Sequence, residues 1–174
     1  NRIAYDGAMV YGTIAPRADK ETPARLPTGW MHASGTSDGN WVPAEGKALR
    51  ALLALLHEDG ENAADISVIT PFKNVLENLK RLLGDTMVSG TIHTMQGKEA
   101  PVVIMVLGGN TDGPGARDWA VSEPNLLNVA ATRAKRRFYV IGDRNDWQNR
   151  ALFCDVMDLL PLQRLPEHEA VAMT

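Results

Sequence analysis

The densest chemistry in the chain lies in nine consecutive residues, Thr91-Ile92-His93-Thr94-Met95-Gln96-Gly97-Lys98-Glu99. Hydroxyls, an imidazole, an amide and a carboxylate crowd the end of one apolar run. Gly97 lets the backbone turn close to a ligand before the next run, Val102-Val103-Ile104, begins. Such groups can reach both a phosphate backbone and a nucleotide. The plainer reading is a turn between two elements with an incidental polar edge.

A second group is Pro124-Asn125-Leu126-Leu127-Asn128-Val129-Ala130-Ala131-Thr132-Arg133-Ala134-Lys135-Arg136-Arg137. As a helix opened by Pro124, it puts Leu127, Ala130, Ala131 and Ala134 on one face and Asn125, Asn128, Thr132 and Lys135 on the other. The small residues imply close packing, and Arg133 near the helix boundary offers a fork of donors suited to phosphate. Lys135, Arg136 and Arg137 read as a solvated helix end complementing the dipole. In a third group, Ile69-Thr70-Pro71-Phe72-Lys73, a strand ends in a Pro-fixed turn and a cation opens the next helix. Taken alone, that group is a strand-to-helix turn.

Elements that alternate between helix and strand must position these groups. Pro43-Ala44-Glu45 starts a helix with Leu49, Leu52, Leu53 and Leu56 on one stripe, ended by Gly60. Ile66 to Thr70 is a short β-branched strand. Val75, Leu76, Leu79, Leu82 and Leu83 then follow at helical spacing up to Gly84. Met87 to Thr94 and Val102 to Leu107 are further strands, the second apolar throughout and so covered on both faces. Gly108 to Ser122 reads as a long loop, Phe138 to Gly142 as a last strand, and the tail after Trp147 as helical to about Leu160. The fold class is α/β, a parallel sheet with helices on both faces, and ligands in such folds gather outside the carboxyl ends of the strands. Thr70 to Lys73, Thr94 to Glu99 and Gly142-Asp143-Arg144 follow strand ends. Gly12 to Thr28, with three prolines, is a loop without regular structure.

Composition narrows the function classes. The 174 residues carry 44% hydrophobic and 22% charged residues, which excludes overall disorder, and a net charge of -3 excludes a broad basic surface. One cysteine, Cys154, excludes an internal disulfide framework, and the four histidines form no metal-ligand pair at close helical spacing, so no metal site is expected. No apolar run has the length of a membrane helix, and no signal-peptide core opens the chain. A cytoplasmic piece of something longer is the simplest account. Neither Gly-x4-Gly-Lys-Ser/Thr nor a post-strand Gly-x-Gly-x-x-Gly is present, so this chain alone is not expected to bind a nucleotide tightly.

In this order the three groups resemble superfamily 1 helicases of the Upf-like branch, in their second, C-terminal RecA-like motor domain. Ile66 to Lys73 is similar to that family's fourth motif, Thr91 to Glu99 to its fifth and Asn128 to Lys135 to its sixth. The opening Asn1 to Gly7 is similar to the stretch after its third, and the likeness runs to about Trp147. The resemblance implies a three-layer RecA-like domain over residues 28–160, with 1–27 an extended segment and loop and 161–174 a tail. It implies that Arg133 is the arginine finger on the γ-phosphate, and that Gln96, Gly97, Glu99 and Lys73 line the nucleotide cleft. Glu99 would reach the ribose, and Lys73 would replace a second arginine that relatives carry nearby. Thr70, Pro71, Thr91, His93, Thr94 and Asn128 would hold a single strand, DNA ahead of RNA. ATP and Mg2+ would act in the full-length protein, with Mg2+ and the phosphate loop supplied by an N-terminal RecA-like domain, and without a membrane partner. Two other classes compete: a non-hydrolysing RecA-like binding or interaction module, and a Rossmann-type small-molecule enzyme, disfavoured by the missing glycine fingerprint.

Overall fold

The computed structural model describes residues 26–95, 97–113, 115–122, 126–150, 153–154 and 157–165. The expected N-terminal segment up to residue 25, and Gln96, Pro124 and Asn125, therefore lie outside the described residues. Six parallel strands form one sheet in the order β3-β2-β4-β5-β1-β6. They are β1 (Gly29–His32), β2 (Ile66–Thr70), β3 (Val88–Thr91), β4 (Ala100–Val106), β5 (Ala134–Gly142) and β6 (Leu162–Gln163). The helices are α1 (Pro43–Glu58), α2 (Lys73–Leu83), α3 (Gly115–Ser122), α4 (Leu126–Thr132) and α5 (Arg144–Trp147).

The apolar run of β4 predicted a strand covered on both sides, and Val102 to Leu107 are fully buried at the centre of the sheet. Right-handed crossovers fix what covers it. The chain moves one way along the sheet from β1 to β2 to β3, and the opposite way from β3 to β4 to β5. Helices α1 and α2 therefore fall on one face, and α3 and α4 on the other. This is the three-layer α/β arrangement expected from sequence. In α1, Leu49, Leu52 and Leu56 have no exposed surface, each contributing roughly 1.5–3 kcal/mol by leaving water. Ala130 and Ala131 of α4 are equally buried, and their small side chains let that helix lie close on the sheet.

Several expectations are corrected. The run Met87 to Thr94 is a strand only over β3, because the Thr94 hydroxyl donates to the Thr91 carbonyl at 2.9 Å and turns the chain. The loop Gly108 to Ser122 contains α3, anchored by the buried Ala120 and by ion pairs from Arg117 and Asp118 to Asp146 and Arg150. The tail is not one long helix. Arg144 donates to the carbonyls of Leu160 at 2.8 Å and Met157 at 3.2 Å, and its guanidinium lies 5.8 Å from the Trp30 ring. That fork brings Leu162–Gln163 into the sheet beside β1 as β6, inside the stretch expected to be tail. Strand β1, unmarked in the sequence reading, is fixed by the Trp30 indole, which donates to the Gly142 carbonyl at 2.9 Å.

At the carboxyl ends of β1 and β4 the two following loops are zipped together. Gly109 and Asn110 donate to the carbonyl and side chain of Asn40, and Thr111 donates to the Ser37 hydroxyl. Gly108, at φ 63°, has no room for a Cβ, which would meet the Asn40 carbonyl oxygen at 2.6 Å. Its N–H donates to the fully buried Glu45 carboxyl at 2.7 Å. Burial pushes Glu45 up to about 8, against the opposing pull of the Gly108 N–H and Arg117 and with the help of Asp143.

The raised pKa makes the folded state hold a proton that the unfolded chain releases near 4.5. Stability from this group is complete below pH 4.5 and is lost as pH rises to about 8. Glu45→Gln keeps an oxygen for Gly108 and cannot ionise. Urea unfolding at pH 5, 7 and 9 is expected to show the variant gaining on the parent chain with pH, by on the order of a few kcal/mol at pH 9. Parallel pH profiles would refute this.

Candidate nucleotide and nucleic-acid interface

Parallel strands separate their two ends, and the expected site residues divide between them. At the carboxyl end, β2 and β3 run in register from Ser67 and Val88 to Thr70 and Thr91. Thr70 is fully buried, and its hydroxyl accepts the Phe72 N–H at 3.4 Å. Pro71 is also buried. These two residues, which the resemblance implies as strand contacts, shape the turn. Beyond them the Thr91–Thr94 turn stands open. Thr91 is buried and donates to the Thr94 hydroxyl at 3.3 Å, while His93 and Thr94 are exposed. Lys73, exposed at the start of α2, shares this edge.

From Thr91 the chain must reach Ala100, which starts β4 at the amino end. Ile66 of β2 pairs with Val102 and Ala100 lies two residues further back, so the crossing spans the whole height of β2 and a little more, roughly 20 Å at 3.3 Å per residue. Ile92 to Glu99 cover it with one helical turn, closed by the Met95 N–H on the Thr91 carbonyl at 3.0 Å, and a short tether. Gly97 sits in that tether at φ 83°, a backbone shape that favours glycine, with open space where a Cβ would be. The fifth-motif segment thus runs from one edge of the sheet to the other. Its threonines and histidine lie at the carboxyl end, and Glu99 at the amino end.

At the amino end the backbone after Glu99 meets that of Arg133. The Ala100 N–H donates to the Arg133 carbonyl at 2.9 Å, so the residues following Glu99 and preceding Ala134 are locked together. Arg133 closes α4, its own N–H donating to the Ala130 carbonyl and its Nε to the Val129 carbonyl at 3.3 Å. Among the described residues its terminal guanidinium nitrogens have no partner. Glu99 is paired with Lys135 at 3.2 Å, both half-exposed. Lys73 is not brought to this pair: the topology leaves it at the other edge.

Helix α4 ends at Thr132, earlier than its sequence pattern suggested. Ala134, Lys135, Arg136 and Arg137 belong to β5, not to a solvated helix end. Ala100 pairs with Ala134 but Val102 with Arg137, so β5 carries one extra residue there. The bulge lets Lys135 and Arg136 both face solvent. Arg136 and Arg137 both pair with Glu61, which is 8% exposed, and Arg137 also lies 3.9 Å from Asp59. Asn128, which the resemblance implies as a strand contact, is buried in α4 with Nδ2 unpartnered among the described residues.

Gly142-Asp143-Arg144, expected near a ligand, is occupied by the fold. Asp143 caps α5 by accepting the Asn145 N–H at 3.0 Å, and Arg144 holds the tail. Sequence reasoning missed Glu45, Arg117 and Trp119 at this end of the sheet. A lone acid in the first turn of α1 was the only trace of Glu45, and the Gly- and Pro-rich surroundings of α3 hid the other two. Among the described residues no group of three His, Cys, Asp or Glu side chains is placed to hold a metal, and no helix is long and apolar enough to cross a membrane.

The all-parallel sheet with helices on both faces is a three-layer α/β arrangement of the RecA-like kind. Residues 27–145 match the AAA domain family, and the chain belongs to that family. It is 36% identical over 94 residues to DNA polymerase alpha-associated DNA helicase A of Schizosaccharomyces pombe. The match covers 52% of this chain and 14% of that protein, so the chain spans a small part of its relative's length. A solved structure, the C-terminal domain of a possible DNA helicase from Lactobacillus plantarum, superposes with a TM-score of 0.49 and 12% identity, covering 78% of this chain and 84% of that one.

Arg137 and Glu61 tie the start of β5 to the loop after α1 in a largely buried pair. Arg137→Ala leaves that acid with Arg136 alone and is expected to cost about 3 kcal/mol, read by chemical denaturation. A loss below half of that would mean that Arg136 and water compensate.

Proposed function

We propose that this chain is the C-terminal motor domain of an ATP-dependent helicase, forming one wall of a split nucleotide site and part of a single-strand track. The observation that carries this reading is Arg133, whose terminal guanidinium nitrogens are free among the described residues while its backbone is tied to the strand that follows Glu99. An arginine held by its own helix and strand can meet developing negative charge with little reorganisation. Support also comes from the open space at Gly97, which lets a ligand approach the backbone, and from the half-exposed Glu99 carboxylate, which can exchange Lys135 for a ribose hydroxyl.

When bound, ATP supplies the γ-phosphoryl group that is transferred to water. Arg133 stabilises the charge on its oxygens, and Mg2+ and the phosphate loop belong to an N-terminal RecA-like domain of the parent protein. At the opposite edge Thr91, His93, Thr94 and Lys73 hold a single strand of DNA, ahead of RNA, through phosphates and sugars. Such contacts are sequence-independent and need no broad basic surface. We assign Lys73 to strand phosphates because it shares their edge. Closure of the two domains on nucleotide and their release after hydrolysis then move the strand.

In the two-domain parent, Arg133→Ala is expected to lower the strand-stimulated ATPase kcat by roughly a thousandfold or more, with strand binding within twofold of the parent's. Undiminished turnover would remove the assigned role. The 174-residue chain by itself is expected to hydrolyse no ATP, and turnover by the pure chain would contradict a split site. A non-hydrolysing binding module forecasts no turnover in the parent either.

A further inference from the structure

One aromatic surface at the carboxyl edge has no part in the reading above. Trp119 on α3 is 44% exposed, more than any other aromatic side chain among the described residues. Single exposed apolar residues are common and need no explanation by themselves. The place and the mounting of this one do. Its ring lies 5.9 Å from that of Phe72 at a tilt of 42°. Phe72 stands between Pro71 and Lys73 just past the carboxyl end of β2, so this ring contact places the indole at the same end of the sheet as the Thr91–Thr94 turn.

The residues before Trp119 clamp its helix. Arg117 pairs with Asp146 at 3.1 Å, and Asp118 pairs with Arg150. Both partners of that clamp, Asp146 and Arg150, follow β5, so α3 is held against the segment next to it and the indole is fixed before any ligand arrives. A pre-placed ring loses little entropy on binding. The edge therefore combines a flat aromatic surface with a cation and hydroxyls, which is the combination that binds single strands without regard to sequence.

We propose that Trp119 is a base-stacking platform for single-stranded DNA: one base lies on the indole while Lys73 and the Thr91–Thr94 turn hold neighbouring phosphates. The inference rests on the carboxyl edge being the strand track proposed above. Stacking contributes through the base and releases no counterion, whereas Lys73 acts through phosphate and does.

The test is fluorescence anisotropy of a fluorescein-labelled oligo(dT) titrated with the 174-residue chain over a range of salt. Trp119→Ala is expected to weaken binding by roughly 5- to 150-fold with an unchanged salt slope, while Trp119→Phe recovers most of the loss. Lys73→Ala is expected to weaken binding and make the salt slope shallower. An abasic oligonucleotide of the same length is expected to bind the parent chain and Trp119→Ala equally, because it has phosphates and no base to stack. Thermal unfolding confirms that each variant is folded, and Trp119→Phe keeps a ring against Phe72 if alanine disturbs α3. Binding of oligo(dT) by Trp119→Ala within twofold of the parent, or an equal loss on the abasic strand, overturns the platform. If only Lys73→Ala loses affinity, the track stands and the platform falls. If the parent chain binds no oligo(dT), both fall together.

Discussion

Strand β4 is buried on both faces, and this constraint organises the rest of the molecule. A strand without a solvent side can carry no polar side chain along Val102 to Leu107, so every group capable of chemistry is driven to one end of the sheet or the other. The covering helices then follow from the handedness of the crossovers. The connection from β3 to β4 carries no helix, and in its few residues it must pass from the carboxyl edge to the amino edge. One short segment thereby supplies groups to both ends, and a change at one end is transmitted along a tether with little slack. In a domain proposed to couple nucleotide to strand movement, such a tether is a direct mechanical link between the two sites.

Much of this was legible in sequence. The leucine stripe of α1, the β-branched run of β2 and the uniform apolarity of β4 each have a period or a composition set by burial, and each element lies where its pattern predicted. What escaped has a physical reason too. Helix α3 is held by ion pairs to residues 29 and 32 positions away and by one buried alanine, so nothing within its own glycine-rich stretch announces it. Strand β6 exists because Arg144 grips two carbonyls, a tertiary contact that no local propensity records. The boundary between α4 and β5 was misplaced because Ala134 and Lys135 continue the helical pattern of the residues before them. Only pairing with Ala100 turns them into strand.

The candidate site was legible in residue type more than in position. The nine residues from Thr91 to Glu99 were marked as one polar group, yet they serve two edges. Thr70 and Thr91 have the right chemistry for a phosphate, and both are buried at the turns that end their strands. Lys73 and Glu99, grouped by their expected ligand, are parted by the height of the sheet. Sequence spacing measures distance along the chain, and in a parallel sheet that distance says little about which end a residue reaches until the crossover is known.

Charge at the amino edge shows how the structure selects among similar residues. Four cations lie within five positions, Arg133, Lys135, Arg136 and Arg137, and as a run they resemble a solvated basic patch. The fold removes three of them from contention. Glu61 takes Arg136 and Arg137, and Glu99 takes Lys135. Burial makes the Glu61 pairs costly to break, since either partner left alone would be a poorly solvated charge. The exposed Glu99 pair is weak and exchangeable. Arg133 is left with its Nε on a helix carbonyl and its outer nitrogens available among the described residues. Neighbouring acids thus turn a basic run of little specificity into one oriented guanidinium, and a net charge of -3 sits comfortably with that arrangement because those acids are part of it.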